Sequence, residues 1–298
     1  MSRHTARAFA GVMALAALFA TGCTQPPGDP GGRNSDAPPP VGAGTGPESS
    51  ALGLVNLWRV SGVPEEEVDT WLRLDAGSFQ LWRDCGMIDG SWGATETLFL
   101  ASIYGASGDC VAQERIPKVE WLGAVTGYRS ADAGWELTDA GGGVVATLTV
   151  DGAPDPIPTA ATLYTEPPEI TDSVRELMRK PVPLPTELDP VTAATLVGKW
   201  TPVDFVPSPD PSRSTDPHAL FAGDGTWSGS DGCNAAEGRW AVDPAGALLA
   251  TVGPMTQIGC EGAPVPTWVA IARLAGFDGE LLSLLDLDGS EIARLERG

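Results

Sequence analysis

Basic residues are scarce in this chain: Lys and Arg total 18 against 39 acidic residues, for a formal charge of −21. That balance excludes nucleic acid as a partner, because neutralising phosphates requires a basic stripe and no cluster of Lys or Arg occurs anywhere. The same sign repels anionic membrane surfaces, so attachment to a membrane has to come from a lipid. Histidine is scarcer still, at two residues. His4 precedes the apolar leader, so any Ser-His or Cys-His hydrolase in the mature chain would depend on His218. That residue closes a Pro- and Ser-rich stretch beginning at Pro207 and reads as a solvated loop position. Five cysteines are spaced too widely to supply the close ligand pairs of a zinc site, and no metal or other cofactor is implied. The apolar run Ala8–Ala20 is too short to span a bilayer as a helix.

What is present begins with a targeting segment. Arg3 and Arg7 precede the apolar run, and Ala20-Thr21-Gly22-Cys23 ends it in small residues, so residues 1–22 read as a lipoprotein signal peptide with Cys23 the lipidated residue. Ala20 stands where such boxes more often carry Leu, which leaves plain secretion as the alternative. Either way the mature chain is exported, to the outer face of the cell membrane if Cys23 is acylated. Residues 23–50 are rich in Pro, Gly and Ser and lack the apolar content to order themselves, so they form a disordered tether.

The remainder repeats itself. Leu54-Val55-x-x-Trp58 recurs as Leu196-Val197-x-x-Trp200, and Gly77-x-Phe79 as Gly225-x-Trp227. Cys85 with Gly90-Ser91-Trp92 recurs as Cys233 with Gly238-Arg239-Trp240. The second cysteines, Cys110 and Cys260, follow at similar distances, and the register continues through Leu137, Asp139 and Gly142 against Leu284, Asp286 and Gly289. Two copies of about a hundred residues point to tandem domains rather than a solenoid. Residues 51–152 form the first, 153–189 a Pro-rich linker, and 190–298 the second. With Cys23 assigned to lipid, the duplication pairs Cys85 with Cys110 and Cys233 with Cys260.

Alternation over Thr226–Ser228, Gly238–Val242 and Leu248–Val252 predicts short antiparallel strands. A helix is expected next, with Thr267 as N-cap, Trp268, Ile271, Ala272 and Ala275 on one face, and Gly276 as the stop. A closing hairpin joins Leu281–Leu285 to Glu291–Leu295 through Asp286-Leu287-Asp288-Gly289. The first copy reads likewise, with Pro117 opening a helix that carries Trp121, Leu122 and Val125, then strands at Trp135–Thr138 and Val144–Val150. The fold class expected is α+β, each copy a curved antiparallel sheet packed on one α-helix with one disulfide. In the linker, Ser173-x-x-Glu176 suggests a capping box opening a short helix that ends before Pro181.

The motifs Leu196-Val197-Gly198-x-Trp200, Gly232-Cys233-Asn234-x3-Gly238-x-Trp240, Thr256-x3-Cys260 and Leu284-x-Asp286-x-x-Gly289 resemble those of the META domain family of heat-shock lipoproteins. The resemblance covers the last hundred residues; the first copy departs from it, with Gly86 in place of the Asn. It implies an exported or lipid-anchored bacterial envelope protein linked to stress tolerance, and it implies no catalytic residue set.

No such set emerges from the residues either. Ser228-Gly229-Ser230-Asp231-Gly232 lacks the first glycine of a nucleophile elbow and reads as a turn. Asp286, Asp288 and Glu291 resemble calcium ligands, yet Gly289 comes two residues too early for an EF-hand loop. Trp71, Trp82 and Trp135 have no counterpart in the second copy, so Trp82 and Trp135, with Asn234, are the candidate binding residues. The reading is a non-catalytic envelope lipoprotein whose tandem domains bind an envelope protein or a small ligand. A secreted hydrolase using paired carboxylates and a structural spacer are the alternatives.

Overall fold

Gly and Asp turns set the strands apart, and in the computed structural model, which describes residues 51–111, 116–154, 165–206, 216–259 and 262–298, every paired strand is antiparallel. The leader, Cys23, the tether and Cys260 lie outside the described residues, which all fall within one compact unit, Gly46–Gly298.

After a 3-10 turn at Leu52–Leu54 come β1 (Asn56–Ser61), β2 (Trp71–Leu74), β3 (Ser78–Arg83), β4 (Gly86–Ala94), β5 (Phe99–Ala106), α1 (Glu120–Ala124), β6 (Gly127–Ala131), β7 (Gly134–Thr138) and β8 (Val144–Thr149). The linker carries α2 (Asp172–Leu177), and β9 (Asp189–Pro190) and α3 (Ala193–Leu196) lead from it into the second copy. Then follow β10 (Gly198–Pro202), β11 (His218–Phe221), β12 (Thr226–Ser230), β13 (Ala235–Val242), β14 (Leu248–Ala250), α4 (Val265–Ile271), β15 (Leu274–Asp278), β16 (Leu281–Leu285) and β17 (Glu291–Arg297). The first sheet is ordered β5-β4-β3-β2-β1-β8-β7-β6 and the second β14-β13-β12-β11-β10-β17-β16-β15-β9, so the second repeats the first and adds β9 at its edge.

The repeat extends to individual hydrogen bonds. Trp58 Nε1 donates to the Leu54 carbonyl and Trp200 Nε1 to that of Leu196, both at 2.7 Å. Gly77 and Gly225 turn their hairpins at φ 81° and 82°, a region that glycine enters without a Cβ penalty. Asp139 Oδ1 accepts from the Gly141 and Gly143 amides just as Asp286 Oδ1 accepts from those of Asp288 and Ser290. Each sheet closes over its own core, around Trp58, Phe79 and Trp92 in the first and Trp200, Phe221 and Trp240 in the second.

Strand occupies 43% of the described residues and helix 13%, so the class is mostly β rather than α+β. The expected helix at Thr267–Ala275 is the main correction. It begins at Val265 with Pro264 as N-cap and Pro266 in its first turn, where a missing N–H costs nothing. It stops at Ile271 because Ala275 and Gly276 are drawn into β15, opposite Leu284 and Ser283. In the linker, Thr171 rather than Ser173 caps the helix, its hydroxyl accepting from the Val174 amide. Val174 and Met178 from this helix are buried in the first core.

Cys85 and Cys110 form a disulfide that ties the residue before β4 to the 3-10 turn Gly108–Cys110 after β5. Cys233 is also disulfide-bonded.

Candidate functional site

Asp231 organises the turn around Asn234. Its Oδ1 accepts from the amides of Cys233 (2.8 Å) and Asn234 (2.6 Å), and its Oδ2 from Asn234 Nδ2 (2.9 Å). Desolvation pushes the Asp231 pKa up, but hydrogen bonds from Asn234 and Cys233 outweigh it and hold the carboxyl below its usual range. Asn234, only 7% exposed, also donates to the Ile258 carbonyl (2.8 Å) and accepts from the Ile258 amide. Both ends of its amide are therefore engaged in joining the cysteine turn to segment 255–259. Gly232, next in the turn, has φ 107°. Gly238 and Trp240 sit on β13, with Trp240 Nε1 donating to the Ala222 and Thr226 carbonyls.

Trp82 is not at the surface. It is 2% exposed and packs with Leu57, Trp71 and Met87 in a layer on the outer side of the first sheet. Its indole N–H is buried without a hydrogen-bond partner among the described residues. Trp71 and Trp82 face each other across β2 and β3, in the register position that His218 and Ser230 hold across β11 and β12. His218 thus opens a strand instead of lying in a loop, with Nδ1 at 2.8 Å from the Asp216 carbonyl oxygen. Ser230 ends β12, and the turn begins after it. Trp135 lies across the opening 3-10 turn, donating to the Gly53 carbonyl (3.0 Å) and meeting Tyr128 edge-on. Trp82, Trp135 and Asn234 do not converge on one cavity. Among the described residues no group of three or more His, Cys, Asp or Glu side chains is placed to hold a metal ion, and no helix is long and apolar enough to cross a membrane.

The side chains that do converge lie where the two sheets meet. Ser91 Oγ donates to the Val252 carbonyl (2.6 Å) and accepts from its amide (3.0 Å), and Ser102 Oγ lies 2.7 Å from Thr251 Oγ1. Arg239 reaches from β13 to the carbonyls of Val125 (2.8 Å) and Leu122 (3.4 Å), at the C-terminus of α1, where a cation complements the helix dipole. Arg273 does the same for α4, donating Nη1 to the carbonyls of Ala270 (3.1 Å) and Ala272 (2.9 Å). Burial holds both guanidinium pKa values below the ordinary value, and no charged neighbour among the described residues offsets it.

Each arginine lines a cavity at this junction. Arg239 borders one of about 830 Å³ with Ser102, Lys118, Glu120, Trp227 and Glu237. Arg273 borders another of about 610 Å³, between the β4–β5 turn, the β13–β14 turn and the segment after α2. Both volumes fall in the ~300–1,000 Å³ range of small-molecule sites. Neither arginine stands out in the sequence. The one available signal for Arg239 is that it replaces Ser91 at an otherwise matched outward strand position.

No family model, curated protein or solved structure matches the chain.

Proposed function

We propose that this is an exported, lipid-anchored bacterial envelope protein, with two tandem META-like domains of one sheet, one short helix and one disulfide each, that binds small anions at the domain junction without catalysing a reaction. The observation that carries the reading is the pair of half-buried arginines, Arg239 and Arg273. Each lines a cavity, and neither has an acidic partner among the described residues, in a chain where acids outnumber bases 39 to 18. A desolvated charge without a counter-charge is costly, and a bound anion removes that cost. The acyl anchor and the META relationship rest on the Ala20–Cys23 leader ending and the Cys233–Trp240 motif.

Calorimetric titration of the full chain with a panel of small carboxylates and phosphates tests the binding reading. Saturable binding weakened by Arg239→Gln or Arg273→Gln is expected. Unsaturable heats, or wild-type affinity in both variants, would remove it. Turnover of an envelope substrate would favour the hydrolase. Radiolabelled palmitate incorporation that disappears in Cys23→Ala checks the anchor separately.

A further inference from the structure

We propose that the 610 Å³ cavity is a site for a single-chain acyl carboxylate, with Arg273 holding the head group and the surrounding aliphatic side chains holding the chain. This rests on the reading that the junction binds anions, and it names the class of anion and which of the two cavities takes it.

The cavity separates two kinds of surface. Leu177, Met178, Val182, Leu184, Leu274 and Leu287 form apolar wall. Leu177 and Val182 are 36% and 37% exposed, so the wall opens to solvent on the side of the segment after α2. The charged groups on the lining are almost all engaged elsewhere. Lys180 pairs with Glu96 (3.5 Å), and Arg179 with Glu176 (2.6 Å) and Asp288 (2.8 Å). Asp243 turns Oδ1 onto the amides of Ala245 and Ala247, both at 2.9 Å.

Arg273 is different. A guanidinium has five N–H donors in a planar fork. Here Nη1 serves two helix-end carbonyls, and Nε and Nη2 donate to nothing among the described residues. An Nε/Nη2 edge is the geometry that receives a carboxylate through two parallel hydrogen bonds.

The remainder of the lining selects the rest of the ligand. One unpaired cation matches one negative charge, and the carboxylates of Glu96 and Asp243 on the same lining oppose a polyanion. A small hydrophilic anion would leave the leucine and valine wall wetted, whereas an aliphatic chain covers it. Each methylene so buried should tighten binding about fourfold.

The test is calorimetric titration of the full chain, produced without lipid so that no detergent competes. The probes are octanoate, decanoate and dodecanoate below their micellar concentrations, with dodecanol as the uncharged analogue. Affinity should rise about fourfold per methylene along the series. Arg273→Gln should weaken dodecanoate about 10- to 100-fold and leave dodecanol unchanged. If Arg273→Gln does not fold, Ala245→Trp, at an exposed alanine on the cavity lining, should block dodecanoate and dodecanol alike. Binding of short carboxylates or phosphate with no chain-length dependence would overturn the acyl proposal and leave anion binding standing. Loss of dodecanoate in Arg239→Gln alone would move the site to the other cavity and overturn this one. No binding of any probe or small anion would remove both.

Discussion

Ser102 and Thr251 occupy matching positions in the two sheets, and their hydroxyl oxygens meet at 2.7 Å where the sheets join. Each lies opposite the residue after its copy's matched glycine, Ser91 and Arg239 respectively. Contact between equivalent residues is the mark of a two-fold interface, here formed within one chain. Both hydroxyls are buried, at 9% and 3% exposure, so neither can turn to water if the other is lost. Thr251→Val leaves Ser102 without its partner and should cost about 1–3 kcal/mol. Ser102→Ala should cost less, because Thr251 Oγ1 also lies 3.3 Å from the Arg239 amide. Urea denaturation of the singles and the double gives the coupling, and the double should cost less than the sum of the singles.

Gly238 supports the same join from inside the second sheet. A Cβ there would strike the Thr251 carbonyl oxygen and come within 2.8 Å of Trp227 Nε1, which donates to that same oxygen at 2.9 Å. None of these groups is the free end of a flexible side chain. Gly238→Ala should therefore cost about 3 kcal/mol or more, or prevent folding. Gly123 in α1 is the control. A Cβ there meets nothing within 4 Å, so Gly123→Ala should gain up to ~1 kcal/mol from helix propensity. Thermal melts of the two variants should move in opposite directions.

The matched Trp and Gly positions reported the duplicated sheet because each serves a local geometry that recurs: an indole bonded four residues back, a glycine at positive φ, an aspartate closing a hairpin. The final hairpin strand Leu281–Leu285 falls where the Asp286–Gly289 turn places it. Period and spacing failed where the deciding neighbour is remote in sequence. Ala275 fits a helical face and Gly276 a helical stop, but pairing with β16 prevails over local propensity. Trp82 read as an unmatched tryptophan and a candidate binding residue, and Leu57 and Trp71 build a second apolar layer with it over the outer side of its sheet. Arg239 and Arg273 were missed for the same reason: a lone arginine reads as solvated until the helix end and the cavity beside it are known.

The bond between Cys85 and Cys110 spans a sequence separation of 25. In the chain-entropy account, closing a loop of that length stabilises the folded state by about 3–4 kcal/mol. Replacing both cysteines by alanine avoids a stray thiol and should lower stability by that amount. The test is the urea midpoint, with the slope checked for a change in the compactness of the unfolded chain.

Asp231 and Asp89 should drive acid stability in opposite directions. Hydrogen bonds from Asn234 and Cys233 outweigh desolvation at Asp231 and lower its folded pKa. Its stabilisation is thus complete above the unfolded value near ~3.9 and is lost as pH falls through the lower folded value. Asp231→Asn should destabilise at pH 7, and the gap to wild type should close as the solution is acidified below about pH 4. Asp89 on β4 is raised by burial, so its penalty is absent in acid, appears as pH rises through the unfolded value, and is complete above the folded one. Asp89→Asn should therefore raise the melting temperature at pH 7 and match wild type at low pH. Melts from pH 2.5 to 7 on both variants would show one difference closing from below and the other from above; two differences of the same sign would refute the assignment.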